Sequence, residues 1–433
     1  MDHTVPDARA LDLDSIVPVT EVTTGLPGCT HRFYDTSPVS PSGRYVAVTR
    51  LADERRLPVP GEGADVVLVD LESGSTRTVA QTTCWDTQLG AQVQWGASDR
   101  ELLFNRLDDG AWRARAVVCD PETGAERMLD GALYHASTDG TRIASPSLHR
   151  IGFTQLGYGF ALPQQVMEPN VGAPDDDGIF VSEVAGGQTR LILSLAEIYE
   201  TLASQLGFPD LGSPYRPVGA LYGFHVKWSP AGDRLMFVVR YRGLRSGAGW
   251  KGALVTCNAD GSRPRVAVPA SLWGLGGHHP NWCPDGEHII MNLSVRALSA
   301  RPGLAAGVGA DDRQLRFARI SHDGTTIEAF DPDIVGGGHP TLHPDGHHIL
   351  TDAYPRESVA RDGGVCPLRW IDTRSGKERS LLWMPLTTPA SGPYDALRVD
   401  MHPAWDREYQ RVVINGTRNG HRYVHLVEMG EML

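Results

Sequence analysis

The chain has 433 residues, 41% of them hydrophobic and 21% charged, a composition that can build a large core and excludes a disordered or collagen-like protein. Forty Lys and Arg against 52 Asp and Glu leave a net charge of −12, so a general polyanion-binding surface is not expected, and no nucleic-acid partner with it. The N-terminus lacks a basic stretch leading into an apolar run, and no segment approaches the ~18 unbroken apolar residues of a membrane span.

These features read as a cytoplasmic protein with no membrane partner. The six cysteines (Cys29, Cys84, Cys119, Cys257, Cys283, Cys366) are dispersed without a CxxC pair, which reads as reduced, mostly buried thiols. Length alone, at ~150 residues per domain, would suggest about three domains. A repeat overrides that count.

In chain order, a lone β segment, VPVTEVTTG, begins at Val17, and Thr30-His31-Arg32-Phe33-Tyr34 then leads into the first repeat. The recurring phrase is a β run, a Pro-Asp-Gly-like turn and a second β run. It begins at Ser37, Val93, Tyr134, His225, His279, His339 and His402. Most copies are followed by a hairpin around Asp-Gly, Gly-Gly or Ser-Gly, the residues that supply the positive φ of tight turns.

The expected fold is therefore all-β: a seven-bladed β-propeller of four-stranded antiparallel blades, one domain over residues 1–433. The seventh unit ends at its third strand, RYVHLVEM, so the segment from Val17 is expected to supply the outer strand and close the ring. Between the third and fourth units, Ser194 to Leu206 has helical spacing after a Ser cap and is expected to form a short helix, a lid or a packing element, within an insertion over 194–224.

Long connections cluster on one face: Leu51 to Asp65, Ile151 to Gly178, Tyr241 to Gly252, Arg296 to Asp312, Pro355 to Gly364 and Pro385 to Met401. Function is expected there. Aligned on the turn, the position three residues before the repeat tryptophan holds Thr36, Gln92, Leu133, His225, His279, His339 and His402. Equivalent positions in a ring converge on its axis, so four imidazoles should meet at that mouth. Neutral imidazoles suit a divalent transition metal better than calcium or magnesium. The alternative is a His-Pro idiom spread by duplication.

Arginines recur near the ends of the second strands, at Arg50, Arg106, Arg150, Arg240, Arg296, Arg356 and Arg418. Most are expected to pair with neighbouring blades, with some left to bind an anionic ligand. Tyr34 and His31 are candidates for proton transfer. His278 reads as a second layer behind His279, while His288, His343, His347 and His348 lie at the opposite face and read as solvated surface. No GxSxG elbow, phosphate loop or HExxH helix is present, and the Trp-Asp pairs at Trp85 and Trp405 do not end blades, which disfavours a WD40 scaffold.

The phrases GFHVKWSP around His225, GGHHPNWCPDG around His279 and GGGHPTLHPDG around His339 resemble those of the oligogalacturonate lyases. The likeness extends over the chain and is sharpest from Gly223 to Asp345, although the repeat is also similar to that of TolB-like propellers. It implies a cytoplasmic propeller that cleaves short uronate-containing oligosaccharides by β-elimination to a 4,5-unsaturated product. Manganese is the implied metal, with calcium, zinc or another divalent ion open.

By the same resemblance His225 is the base and His279 and His339 hold the metal. The family's glutamine and further histidine correspond here to Val335-Gly336-Gly337-Gly338, so His402 or Gln92 is expected to complete the coordination. Arg216 is the expected catalytic carboxylate partner, and Arg240, Arg296, Arg32 and Gln92 are the expected substrate-binding residues. The alternatives are a non-catalytic sugar- or protein-binding propeller of the TolB-like type and a metal-dependent hydrolase or isomerase.

Overall fold

Each Pro-Asp-Gly-like turn reverses the chain between the first two strands of a sheet, and each Gly-containing hairpin between the last two. The computed structural model describes residues 13–108, 110–213, 215–244, 250–300, 313–387, 394–430 and 432–433. Among these the chain forms seven four-stranded antiparallel sheets and one two-stranded hairpin.

Blade 1 comprises Cys29–Thr30, Tyr45–Arg50, Ala64–Asp70 and Thr76–Thr82. Blade 2 has Gln94–Trp95, Leu102–Leu107, Ala114–Cys119 and Glu126–Met128, and blade 3 has His135–Ala136, Arg142–Ser145, Gly178–Glu183 and Arg190–Ser194. Blade 4 contains Gly219–Trp228, Arg234–Gly243, Trp250–Asn258 and Arg265–Val268. Gly277–Trp282, His288–Ser294, Leu315–Ser321 and Ile327–Ala329 make blade 5. Thr341–Leu342, His348–Thr351, Val365–Asp372 and Lys377–Pro385 make blade 6.

Blade 7 takes Ala404–Trp405, Arg411–Arg418 and His421–Glu428 from the C-terminal end and Val19–Glu21 from the other. Val19, Thr20 and Glu21 pair antiparallel with Val427, Leu426 and His425, so the ring closes as the repeat count predicts and the N-terminal strand covers the outer edge of the third strand of blade 7.

The helix Leu195–Leu206 forms where its spacing predicts. Ser194 accepts from the Glu197 N–H while the Glu197 carboxylate accepts from the Ser194 N–H, and Gly207 ends the helix at φ +70°. Leu195, Ile198, Leu202 and Leu206 are buried in the same core as blade 4, and the helix packs on strands of blades 3 and 4. The packing makes it a brace between those blades.

Two expectations change. Within the connection predicted from Tyr241 to Gly252, 241–243 and 250–252 extend the second and third strands of blade 4, with Arg242 paired to Trp250, and 245–249 lie outside the described residues. The first strand of blade 4 likewise begins at Gly219, ahead of His225. The segment after Ser294 opens as the helix Val295–Ser299, and 301–312 and 388–393, parts of two predicted connections, lie outside the described residues. All six cysteines are unpaired and buried. Among the described residues no helix is long and apolar enough to cross a membrane.

Candidate active site and metal centre

Three of the four aligned histidines precede proline: His279, His339 and His402. Proline has no N–H for the ladder, so the regular pairing of blades 6 and 7 starts only beyond it, at Thr341 and Ala404, and in blade 5 the register shifts between His278 and Asn281. In blade 4 the register shifts between Gly223 and Val226, around His225. Such irregularities re-aim a side chain out of strand alternation. Gln92, His279 and His402 share a left-handed backbone (φ +60°, +57° and +49°), and Gly338 has φ +58° just before His339. A common conformation that is uncommon for non-glycine residues marks Gln92, His279 and His402 as equivalent places in the repeat, and in blade 6 it falls one residue earlier.

The imidazoles converge, and Phe33 stands among them. Its ring centroid lies 5.3 Å from His225, 6.4 Å from His279, 5.6 Å from His339 and 4.6 Å from His402. His225 stacks on the Phe33 face (17° between planes), whereas the other three meet it edge to face at 76–78°. One aromatic side chain thus divides the predicted ring into a lone imidazole and a group of three.

In that group His279 and His339 stack at 3.9 Å and His402 meets His339 at 4.5 Å. Both oxygens of Asp352 lie 3.0 Å from His339 Nδ1, and the carbonyl of Gly338 lies 2.7 Å from His279 Nδ1. A carboxylate and a carbonyl accept, so both Nδ1 atoms carry the proton and both Nε2 lone pairs face the Tyr354 hydroxyl, at 3.1 and 3.4 Å. Carboxylate-oriented histidines of this kind are typical of metal ligands. Burial first, then the crowding of His339 against each, holds His279 and His402 well below the ordinary histidine range, so both are neutral.

Asp400 adds a carboxylate. Its Oδ2 accepts from Arg398 Nε at 2.9 Å and lies 3.7 Å from His402 Nε2. Its Oδ1 is buried without a hydrogen-bond partner, as are both ring nitrogens of His402. Leaving such atoms dry and unpaired is costly, and a cation held by Asp400 and by one ring nitrogen of His402 would remove part of that cost. One donor atom each from His339, Asp400 and His402 lies within 4.8 Å of the others. Two imidazoles and a carboxylate suit a divalent transition ion, and His279, the other predicted ligand, flanks this trio through His339. The residues fit the implied metal.

On the other side of Phe33, His225 Nδ1 is hydrogen-bonded to the Tyr134 hydroxyl, and its ring is packed by Phe224 at 4.0 Å and Tyr158 at 6.1 Å. Burial first, then Lys227 and Arg240, holds it well below the usual histidine range. The tautomer that donates Nδ1–H to Tyr134 leaves Nε2 with its lone pair free.

Arg240 is one ring away. Its guanidinium carbon lies 3.3 Å over Phe224 and 4.1 Å over Trp250, and Nη1 donates to Thr154 Oγ1 and Gln155 Oε1 at 3.2 and 3.0 Å. No carboxylate pairs with it among the described residues, and Nε is buried without a partner. Burial pulls its pKa down to about 9, which still leaves it charged at neutral pH. Arg106, Arg150 and Arg418, by contrast, pair with Glu126, Asp176 and Glu21. These partners lie in the same blade or its own loop, where neighbouring blades had been expected.

The other predicted residues fall elsewhere. Arg216 is exposed on the small hairpin Gly212–Ser213/Arg216–Pro217, and Arg296 is exposed on the helix Val295–Ser299. Neither contacts the imidazoles, because solvent-facing positions let a long cationic side chain stay hydrated. Arg32 is buried but engaged: Nε donates to Gln92 at 2.8 Å and Nη1 to Asp35 and Thr36. Gln92 is thereby Arg32's partner and has no contact with the trio. Tyr34 does lie against the imidazoles, its ring 5.1 Å from His339 and 6.1 Å from His279, but its hydroxyl points to Pro280 O and Lys227, and it lines a cavity of about 270 Å³ at the opposite mouth. His31 is buried behind His402, its ring 6.4 Å away and its Nε2 3.3 Å from Met401 O.

Sequence reasoning missed Phe33 as divider, and also Tyr158, Asp352, Tyr354, Arg398, Asp400 and Lys227. A signal existed for two of them: Arg398, Asp400 and His402 alternate along an extended segment and so share one side. The others lie on strand ends or loops of different blades.

In class, then, this is a seven-bladed β-propeller with an imidazole–carboxylate cluster on its axis. No family model matches the chain, and no curated protein matches it. Solved structures do match. An oligogalacturonate lyase from Vibrio parahaemolyticus corresponds over 97% of this chain and 96% of that one, at 13% identity and a TM-score of 0.60. An oligogalacturonate lyase in complex with manganese corresponds over 96% and 94%, at 12% identity and a TM-score of 0.56. The tricorn protease gives a TM-score of 0.52 at 11% identity, over 99% of this chain but 35% of its own. The chain has the full-length propeller fold of the oligogalacturonate lyases.

Proposed function

We propose that the chain is a metal-assisted lyase that cleaves uronate-containing oligosaccharides by β-elimination, leaving a 4,5-unsaturated uronate. The observation that carries this reading is the partition around Phe33: a neutral imidazole with a free Nε2 beside a buried, carboxylate-free guanidinium on one side, and a metal-type donor trio on the other. It also agrees with a structural neighbour that is a manganese complex of an oligogalacturonate lyase.

His339, Asp400 and His402, flanked by His279, would hold a divalent ion, manganese being the expected one. When bound, it would supply Lewis-acid neutralisation of the uronate carboxylate and so acidify the hydrogen on C5. Arg240 adds a fixed positive charge to the same carboxylate, aimed by two aromatic faces and worth more in this dry setting than in water. His225 takes the C5 proton at Nε2 while Tyr134 holds the tautomer at Nδ1. The electron pair moves to form the C4–C5 double bond, and the C4 oxygen leaves with the remainder of the chain.

The test is incubation of the chelated and the manganese-loaded protein with oligogalacturonate and with glucuronate-capped oligosaccharides, followed by ultraviolet absorbance of the conjugated product. Absorbance should rise with metal and fail to rise for His225→Ala. Saturated products would identify a hydrolase instead, and sugar binding without turnover would identify a non-catalytic binder; either result rejects the proposal.

A further inference from the structure

At the opposite mouth of the ring, the turn between the first two strands of blade 6 gathers four donors. His343 Nδ1 lies 3.0 Å and His348 Nδ1 2.7 Å from Asp345 Oδ2, while His347 Nδ1 lies 3.3 Å from Asp345 Oδ1. Donor atoms of Asp345, His347 and His348 all lie within 4.8 Å of one another. Expected from sequence as separate solvated side chains, the histidines instead converge on one carboxylate.

Aromatic packing holds two of the rings in place. His348 stacks on Trp370 at 4.6 Å and 6°, and His343 is walled by Trp370, Trp405 and Tyr409 at 5.5–5.6 Å. The three imidazoles are only 15–24% exposed, so they are oriented before any ligand arrives.

Blade 5 provides an internal comparison. Its turn repeats the same pair, with His288 Nδ1 2.8 Å from Asp285 Oδ2, so one imidazole beside the turn aspartate belongs to the repeat itself. There Cys283 and Glu287 occupy the places of His343 and His347, and Arg319 brings its guanidinium to 3.2 Å from Asp285 and 3.1 Å from His288. Arg319 faces Ile290 across the ladder, and the residue in that register of blade 6, facing Leu350, is Trp370. Blade 6 has therefore exchanged a guanidinium for an indole and gained two imidazoles. No Lys or Arg pairs with Asp345 among the described residues.

Two imidazoles and one carboxylate with donor atoms within 4.8 Å, and a third imidazole on the same carboxylate, suit a borderline divalent ion better than calcium or magnesium. We propose that His343, Asp345, His347 and His348 form a second divalent transition-metal site, on the face opposite the candidate active site and sharing no residue with it.

The test is equilibrium dialysis of the full chain against zinc chloride, with bound zinc counted by elemental analysis in a His339→Ala/His402→Ala background that removes the central trio. That protein should keep one equivalent. Adding His347→Ala/His348→Ala should abolish it, and adding His347→Ala alone should weaken it at least tenfold. The His347 ring lies at the surface of the turn, so the single variant retains the fold even if the double one does not. His288→Ala should change nothing. Absence of bound zinc in the background protein, or an equivalent unaffected by His347→Ala, overturns the proposal.

Discussion

Asp352 holds His339 by both carboxylate oxygens, each 3.0 Å from Nδ1, and the same carboxylate accepts the backbone N–H of His339 at 2.7 Å and of His402 at 3.3 Å. One buried acid thus fixes a tautomer and ties blade 6 to blade 7 at the donor trio. Asp352→Asn keeps the shape but offers one oxygen instead of two, and no negative charge. Manganese affinity should fall about 10–100-fold, as when other carboxylates behind metal-binding histidines are removed. Titration calorimetry with the metal alone, compared with the parent, measures it.

Arg240 packs between Phe224 and Trp250, and among the described residues no carboxylate pairs with it. Arg240→Gln should lower kcat/KM on uronate substrates by about 100-fold or more, the effect expected when a charge-assisted hydrogen bond is removed from a dry site. Arg216→Gln and Arg296→Gln, at exposed positions, should change it less than about threefold. Steady-state kinetics on the three variants decides whether the inward arginine is the anchor.

The acid limb of the pH–rate profile follows from His225. Its folded pKa lies well below the ordinary histidine value of 6.5, chiefly through burial, so it stays neutral and able to accept a proton as pH falls past 6.5. The acid limb of kcat/KM should therefore lie below about pH 6.5, and it should vanish with activity in His225→Ala, a loss of about 10²–10⁴-fold. A limb at or above that pH would assign the proton acceptor to another group.

Asp35 sits between two buried cations, paired with Arg32 and 3.0 Å from Lys227. Burial alone would raise its pKa, but the two cations outweigh it and hold the carboxyl well below 3.8. A depressed carboxylate contributes stability that is fully present above the unfolded pKa and lost as pH falls toward the folded one. Thermal stability should thus decline below about pH 4. Asp35→Asn should cost about 3–5 kcal/mol at neutral pH by leaving both cations uncompensated, and Lys227→Met should recover part of that loss. Thermal melts across pH on the three proteins test both statements.

The number of blades, their order, the closing strand from Val17 and the helix after Ser194 were all legible in the sequence. Each rests on local periodicity, turn chemistry or capping, which neighbouring residues specify. The inward convergence of His225, His279, His339 and His402 was legible for a related reason: a ring maps a repeated position onto its axis. The same logic set the limits of blade 4 too short, since its strands continue past the turn-based bounds, and it aimed Arg296 at a site that this residue does not approach, because a strand-end position does not specify where a long side chain goes; Arg216, assigned through the resemblance, is exposed as well.

What the amino-acid order determined unaided was therefore everything periodic: a closed seven-fold ring with imidazoles at four successive equivalent places. Only the folded molecule decided that Phe33 would stand among them, that Asp352 and Asp400 would arm one side and Arg240 the other, and that three histidines of blade 6 would close on Asp345. Those partnerships join loops and strand ends of separate blades, or depend on how aromatic neighbours turn a ring. They are set by packing across the assembled ring, and no local pattern encodes them.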